Sequence, residues 1–225
     1  MASMNHQHQD PLLDATSIHK LFTELSEHLA ARDQSAQLFV VGGAAMALAY
    51  NAHRTTRDID AAFEPSTVVR EITAVIGREH GLQDDWLNDA AKGFMPGNDE
   101  SPRTVFTSDT LLVQVPSPEY LLAMKIHSGR GQRDIDDAVH LYNIAGYTDA
   151  EQVIELLERT YPARLLLPRH QYIAQNVAEQ AQATRRTHQI YSLALPSTRD
   201  QPDQTSARPE PPRDTPPHRS RGMTR

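Results

Sequence analysis

Two aspartates one residue apart, Asp58 and Asp60, stand where an Arg-Thr-Thr-Arg run (residues 54–57) meets the apolar stretch 59–63. Strand periodicity would project both carboxylates from one face, roughly 6–7 Å apart along the chain. Two carboxylates near 5 Å repel by about 3 kcal/mol at an effective dielectric of 20, so such a pair binds a cation, shares a proton or splays into water. Oxygen ligands of this hardness suit magnesium or manganese. Upstream, Gly42-Gly43 follows the apolar run 38–41 and precedes the small-residue segment 44–50. A glycine pair between strand and helix lets backbone N–H groups approach a phosphate at the positive helix end. Taken singly, the glycines also fit a tight turn and the aspartates a solvated strand edge. Together, a cation pair beside a phosphate cradle is nucleotide chemistry.

The elements that must hold these residues are legible from periodicity. Residues 16–32 carry Ile18, Leu21, Phe22, Leu25 and Leu29 at helical spacing behind a Thr/Ser cap. Residues 38–41 and 59–63 read as strands. A helix opens at Glu64-Pro65, buries Val68, Val69, Ile72, Val75 and Ile76, and meets Gly81 at its end. Residues 104–106 and 111–115 predict a hairpin around Ser108-Asp109. Ser117-Pro118-Glu119 is a helix start: hydroxyl cap, proline in the first turn, acid at the positive end. Further helices are expected over 133–144, 149–161 and 168–183. Four strands interleaved with helices, followed by helices alone, predict an α/β or α+β core, with α+β preferred, and a helical C-terminal half.

Composition narrows the chemistry. The chain has 225 residues and no cysteine, which removes disulfides, thiolate metal sites and thiol nucleophiles. Formal charge is −7, and residues 196–225 hold six Arg against four acids, so the remainder carries about −9. An acidic body disfavours a long-lived nucleic-acid clamp, though not a brief encounter. No basic-then-apolar leader or bilayer-length apolar stretch is present, so a cytoplasmic protein without membrane association is expected. There is no P-loop, no G-x-G-x-x-G and no H-E-x-x-H.

The blocks V-G-G and, after a short helix, R-T-T-R-D-I-D resemble the signature of the DNA polymerase β-type nucleotidyltransferase superfamily. The match is most similar to the DUF6036 group of small bacterial nucleotidyltransferases and, more distantly, to AbiEii-like toxins of type IV toxin–antitoxin systems. A second block, SPEYLLAMKIHSGRGQRDIDDAVHL, resembles the lysine helix and R-D-x-x-D helix of the same proteins. The resemblance implies a small mixed sheet flanked by helices. The likeness spans about residues 38–141, and the chain as a whole divides into a flexible N-terminus (1–15), a nucleotidyltransferase-like domain (16–145), a helical segment (146–195) and a tail (196–225). The seven prolines of that tail, with no Leu, Ile or Val, predict disorder.

What the resemblance implies for function is magnesium-dependent transfer of NMP from an NTP to an acceptor hydroxyl, on tRNA or protein, as a toxin paired with an antitoxin protein. Gly42 and Gly43 would hold phosphate, and Asp58 and Asp60 the Mg2+ or Mn2+. Lys125 would face the nucleotide, with Arg57 near the phosphates and Arg130, Arg133, Asp134 and Asp137 bracing the site. Local physics leaves alternatives: Lys125 fits a snorkelling lysine, and Arg133 with Asp137 fits an ordinary i,i+4 ion pair. Arg54 and Arg57 would neutralise phosphate or simply balance the two aspartates. The superfamily also takes a third acid, a general base, from a neighbouring strand, where residues 111–115 offer only Gln114. Glutamine accepts no proton, so the alternative is a catalytically weakened module that binds nucleotide or a partner. Glu119 is a candidate substitute.

Overall fold

The computed structural model describes residues 11–129 and 131–194. Arg130, residues 1–10 of the expected flexible N-terminus and the expected disordered tail 196–225 lie outside the described residues. The fold is α+β: a five-stranded mixed sheet in the order β3-β2-β1-β5-β4, flanked by helices. Its strands are β1 (Ala36–Val40), β2 (Ile59–Glu64), β3 (Leu87–Asn88), β4 (Arg103–Thr107) and β5 (Leu111–Val115). β1 pairs antiparallel with β2 and parallel with β5, β4 pairs antiparallel with β5, and β3 pairs parallel with β2.

Period-two patterning decides which face each strand buries. Leu38, Val40, Ile59, Ala61, Leu111 and Val113 point into the core, while Phe39, Asp60, Ala62 and Gln114 lie on the opposite, partly covered face. The core face receives α1 (Ala15–Ala30) through Ile18, Phe22 and Leu25, and α3 (Ser66–His80) through Val69, Ile72 and Ile76. α3 ends where Gly81 takes φ +63°, a left-handed cap that favours glycine. Asp60 therefore lies on the sheet face left without a full cover.

Two departures from the sequence reading have clear causes. α1 is capped by Asp14, whose carboxylate accepts the Ser17 N–H at 2.7 Å, because buried Leu13 is pinned to Thr56 by a two-bond bridge of 2.7 and 2.9 Å. The fifth strand, β3, has two residues and so no periodicity to detect. It is held by its neighbour: the Trp86 indole donates to the Thr73 carbonyl at 2.9 Å, and the Trp86 carbonyl accepts the Ile59 N–H at 2.6 Å.

The C-terminal half is helical as expected, with α4 (Pro118–Ser128), α5 (Gln132–Ile144), α6 (Ala150–Thr160) and α7 (Pro168–Ala194). Ser117 caps α4 by accepting the Tyr120 N–H, and Asp149 with Gln152 forms a capping box on α6. Leu141, Leu157 and Val177 belong to the same contiguous apolar core as Phe22 and Val40. No helix among the described residues is long and apolar enough to cross a membrane.

Candidate functional site

The strand β1 delivers the chain to Val41, whose N–H donates to the Asp60 carbonyl at 2.8 Å, and then to the glycine pair that opens α2 (Gly42–Ala45). Helix α2 continues as a π-helical turn, Met46–Tyr50. Gly42 has φ +64°, and a Cβ there would lie 3.2 Å from Asp60 Oδ2. A Cβ on Gly43 would meet Thr56 Oγ1 at 2.8 Å, closer than real Cβ contacts allow. Both glycines are thus required by backbone conformation or close approach. What fills the place of the missing side chains is the chain itself, Asp60 at Gly42 and Thr56 at Gly43, and both glycines line the cavity described next.

A cavity of about 430 Å3 opens at this turn. Gly42, Gly43, Thr56, Asp58 and Asp60 line one part of it, and Lys125, Ser128 and Asp134 another. Asp58 is exposed, just ahead of β2, and Asp60 is partly buried within it. Burial, reinforced by the charge of Asp58 and offset by Lys125 and an Asn88 hydrogen bond, raises the Asp60 carboxyl from 3.8 to about 6. Two carboxylates that repel one another at a cavity wall, beside a turn without side chains, fit a hard divalent cation. Among the described residues no group of three or more His, Cys, Asp or Glu could hold a metal. The chain's own donors to such a cation would be this pair, with water and phosphate oxygens as the usual remaining ligands of magnesium.

Helix α4 presents Leu121, Met124, Lys125 and Ser128, at i, i+3, i+4 and i+7, to the cavity. Lys125 does not snorkel. It is 7% exposed, and its Nζ donates to Asp134 Oδ1 and Asp137 Oδ2, both at 2.8 Å. Asp137, 4% exposed, also takes a two-bond grip from Arg54, Nε to Oδ1 and Nη2 to Oδ2 at 3.1 Å each. It therefore joins α4 to the loop that carries Thr56 and Asp58. Arg54 lines the same cavity, and its ion-pair partner there is Asp137 on α5. Asp137 pairs with Arg54 and Lys125 in place of the helical pair with Arg133. Arg133 instead donates to the Thr55 carbonyl at 2.6 Å and straps the same loop from the exposed side.

A family model described as "Nucleotidyltransferase of unknown function (DUF6036)" matches residues 16–166, more than half of the 225-residue chain. The chain belongs to this family. No curated protein and no solved structure matches it.

Within this nucleotidyltransferase-family chain, Gly42, Gly43, Asp58, Asp60, Lys125 and Asp134 surround one cavity, and Asp137 stands directly behind Lys125 and Arg54. Arg57 is exposed and does not line the cavity. Arg130 lies outside the described residues. The expectation for Gln114 needs correction. It shares the sheet face of Asp60, but β1 lies between β5 and β2, so the two strands are about 9–10 Å apart. Gln114 pairs with Phe39, level with Ala62 rather than Asp60, and does not line the cavity. Glu119 lines a separate cavity.

The residue beside Asp60 on a directly adjacent strand is Asn88 of β3. Its Oδ1 accepts the Ala90 N–H at 2.9 Å, which leaves Nδ2 as the donor toward the Asp85 carbonyl and Asp60. A neutral amide thus occupies the flank where a third acid would be sought. Sequence reading also missed Thr56, Phe94 and Ser128 as cavity residues. For Ser128 the signal existed, because it falls one helical turn beyond Lys125.

Proposed function

We propose that this protein is a magnesium- or manganese-dependent nucleotidyltransferase that moves NMP from an NTP to an acceptor hydroxyl. The observation that carries the reading is the convergence of Asp58, Asp60 and the Gly42-Gly43 turn on one cavity, in a chain of a nucleotidyltransferase family. In this reading Asp58 and Asp60 hold the cation, the Gly42 and Gly43 N–H groups receive phosphate oxygens, and Lys125 supplies positive charge toward the phosphates. The cation would stabilise charge developing on the transferring phosphoryl group. The acceptor oxygen bonds to the α-phosphorus, the bond from that phosphorus to the bridging oxygen breaks, and pyrophosphate leaves. With no third carboxylate joining the pair among the described residues, the hydroxyl proton passes to water. Such a transfer is slower by the roughly 10²–10⁴-fold that a positioned base contributes.

The acceptor is an RNA, with tRNA first to test, or a protein, and a toxin held in check by an antitoxin protein is the setting that the resemblance suggests. Incubation with each α-labelled NTP, magnesium and either tRNA or cell protein tests the reading directly. Label should enter one acceptor class and be lost in Asp58→Asn and Asp60→Asn. Label that persists in both variants would reject this site.

The second reading is a module that binds nucleotide without turnover. Asn88 favours it, because an amide beside Asp60 neither takes a proton nor adds a charged ligand. Magnesium-dependent NTP binding without label transfer to any acceptor would select it.

A further inference from the structure

The cavity has an apolar side that the phosphate and cation groups leave unused. Val41, Tyr120 and Met124 form a small apolar cluster detached from the main core, with Phe39, Ala91 and Met95 packed against it. Val41, Ala91 and Met124 of that cluster line the cavity, joined by Leu121. At its rim stands Phe94, 49% exposed, on the 3-10 turn Ala90–Phe94.

An exposed aromatic is unremarkable by itself. Here the backbone that carries it is anchored at both ends. Asn88 Oδ1 receives the Ala90 N–H at 2.9 Å, and the Phe94 carbonyl receives the Tyr161 hydroxyl at 3.1 Å. Tyr161 is itself buried and stacks on His127, with ring centroids 4.0 Å apart and planes 9° apart. The turn is fixed while its ring is left open to the cavity, an arrangement that lowers the ordering cost of binding a flat ligand.

Resting on the nucleotidyltransferase reading, we propose that Phe94, with the Val41–Ala91–Met124 wall, is the nucleobase subsite of the NTP, holding the base by stacking and apolar contact. Among the described residues no Asn or Gln side chain lines the cavity. Its carboxylates lie elsewhere: Asp134 pairs with Lys125, and Asp58 and Asp60 stand by the glycine turn. Base edges therefore meet few side-chain readers, and the four NTPs should bind within about tenfold of one another, purines tightest because they offer the larger π-face.

The test is calorimetric binding of magnesium–ATP, –GTP, –CTP, –UTP and –tripolyphosphate to the full chain and to Phe94→Ala and Phe94→Trp. Tripolyphosphate should bind more weakly than any NTP. Phe94→Ala should weaken every NTP by about 5- to 100-fold and leave tripolyphosphate unchanged, and Phe94→Trp should retain NTP affinity. NTP binding indifferent to Phe94→Ala, equal losses for NTP and tripolyphosphate, or one NTP preferred by more than a hundredfold would each overturn the subsite and leave the nucleotidyltransferase reading standing. If neither NTP nor tripolyphosphate binds the wild-type chain, both fall together.

Discussion

Asp60→Asn should stabilise the metal-free protein at neutral and alkaline pH, although it removes a residue assigned to the site. The folded carboxyl titrates near 6 because burial, and then the charge of Asp58, disfavour its ionised form. In the unfolded chain it titrates near 3.9. Between those values the folded state binds more protons than the unfolded state, so stability falls as pH rises through the window. The penalty is absent below about pH 4 and complete above about pH 6. A displacement of about two pH units corresponds to about 3 kcal/mol at 1.36 kcal/mol per unit. Solvent reaching this partly exposed group reduces that to about 1–2 kcal/mol. Replacing the carboxylate with an amide removes the penalty, which for a domain of this size raises Tm by about 2–8 °C at pH 8 and by almost nothing at pH 4. Millimolar magnesium should reverse the order, because a ligand that binds only the folded state stabilises it and the variant has lost half of the carboxylate pair. Thermal melts of both proteins from pH 4 to 8, with and without magnesium, provide the readout. Equal melting curves at every pH, or a variant less stable at pH 8 without metal, would refute the electrostatic account of the site.

Asp137→Asn should cost about 3–5 kcal/mol, since it leaves Arg54 and Lys125 buried with reduced compensation, and thermal melts should show Tm lower by about 6–20 °C. Arg133→Ala, which removes only an exposed strap to the Thr55 carbonyl, should shift Tm by less than about 3 °C in the same measurement. Asn88→Asp keeps an oxygen for the Ala90 N–H and adds a carboxylate beside Asp60, so calorimetric manganese affinity should rise about tenfold or more, whereas Gln114→Glu should leave it unchanged. A gain from Gln114→Glu alone would mean that the strand order has been wrongly tied to the cation position.

Most elements were legible because their determinants are local. The stripe of Ile18, Leu21, Phe22, Leu25 and Leu29 needs only helical spacing to declare its buried face, and Ser117-Pro118-Glu119 carries its own start signal. β3 lacked any such signal. Two residues cannot show a period, and what makes Leu87–Asn88 a strand is Trp86, locked to Thr73 thirteen residues earlier and packed against Gly77. The cap of α1 was misplaced for a related reason: Leu13 is held by Thr56, and that pairing sets where the helix can begin.

The same division runs through the candidate site. The glycine pair and the two aspartates could be read together because each sits at the end of a strand whose apolar pattern is plain. The resemblance made Asp137 a brace, but spacing could not show its partners, which are Arg54, 83 residues away, and Lys125, 12 residues away, while the sequence offered Arg133 at four. Gln114 failed for a topological reason. Alternation assigns it the correct face of the sheet, but no local pattern reveals that β1 is inserted between β5 and β2. Strand order alone moves the question of a third acid from Gln114 to Asn88, and with it the choice between a slow transferase and a binding module. That amide is oriented by the Ala90 N–H, so the Asn88→Asp variant tests directly whether a carboxylate at this strand position adds a ligand beside Asp60.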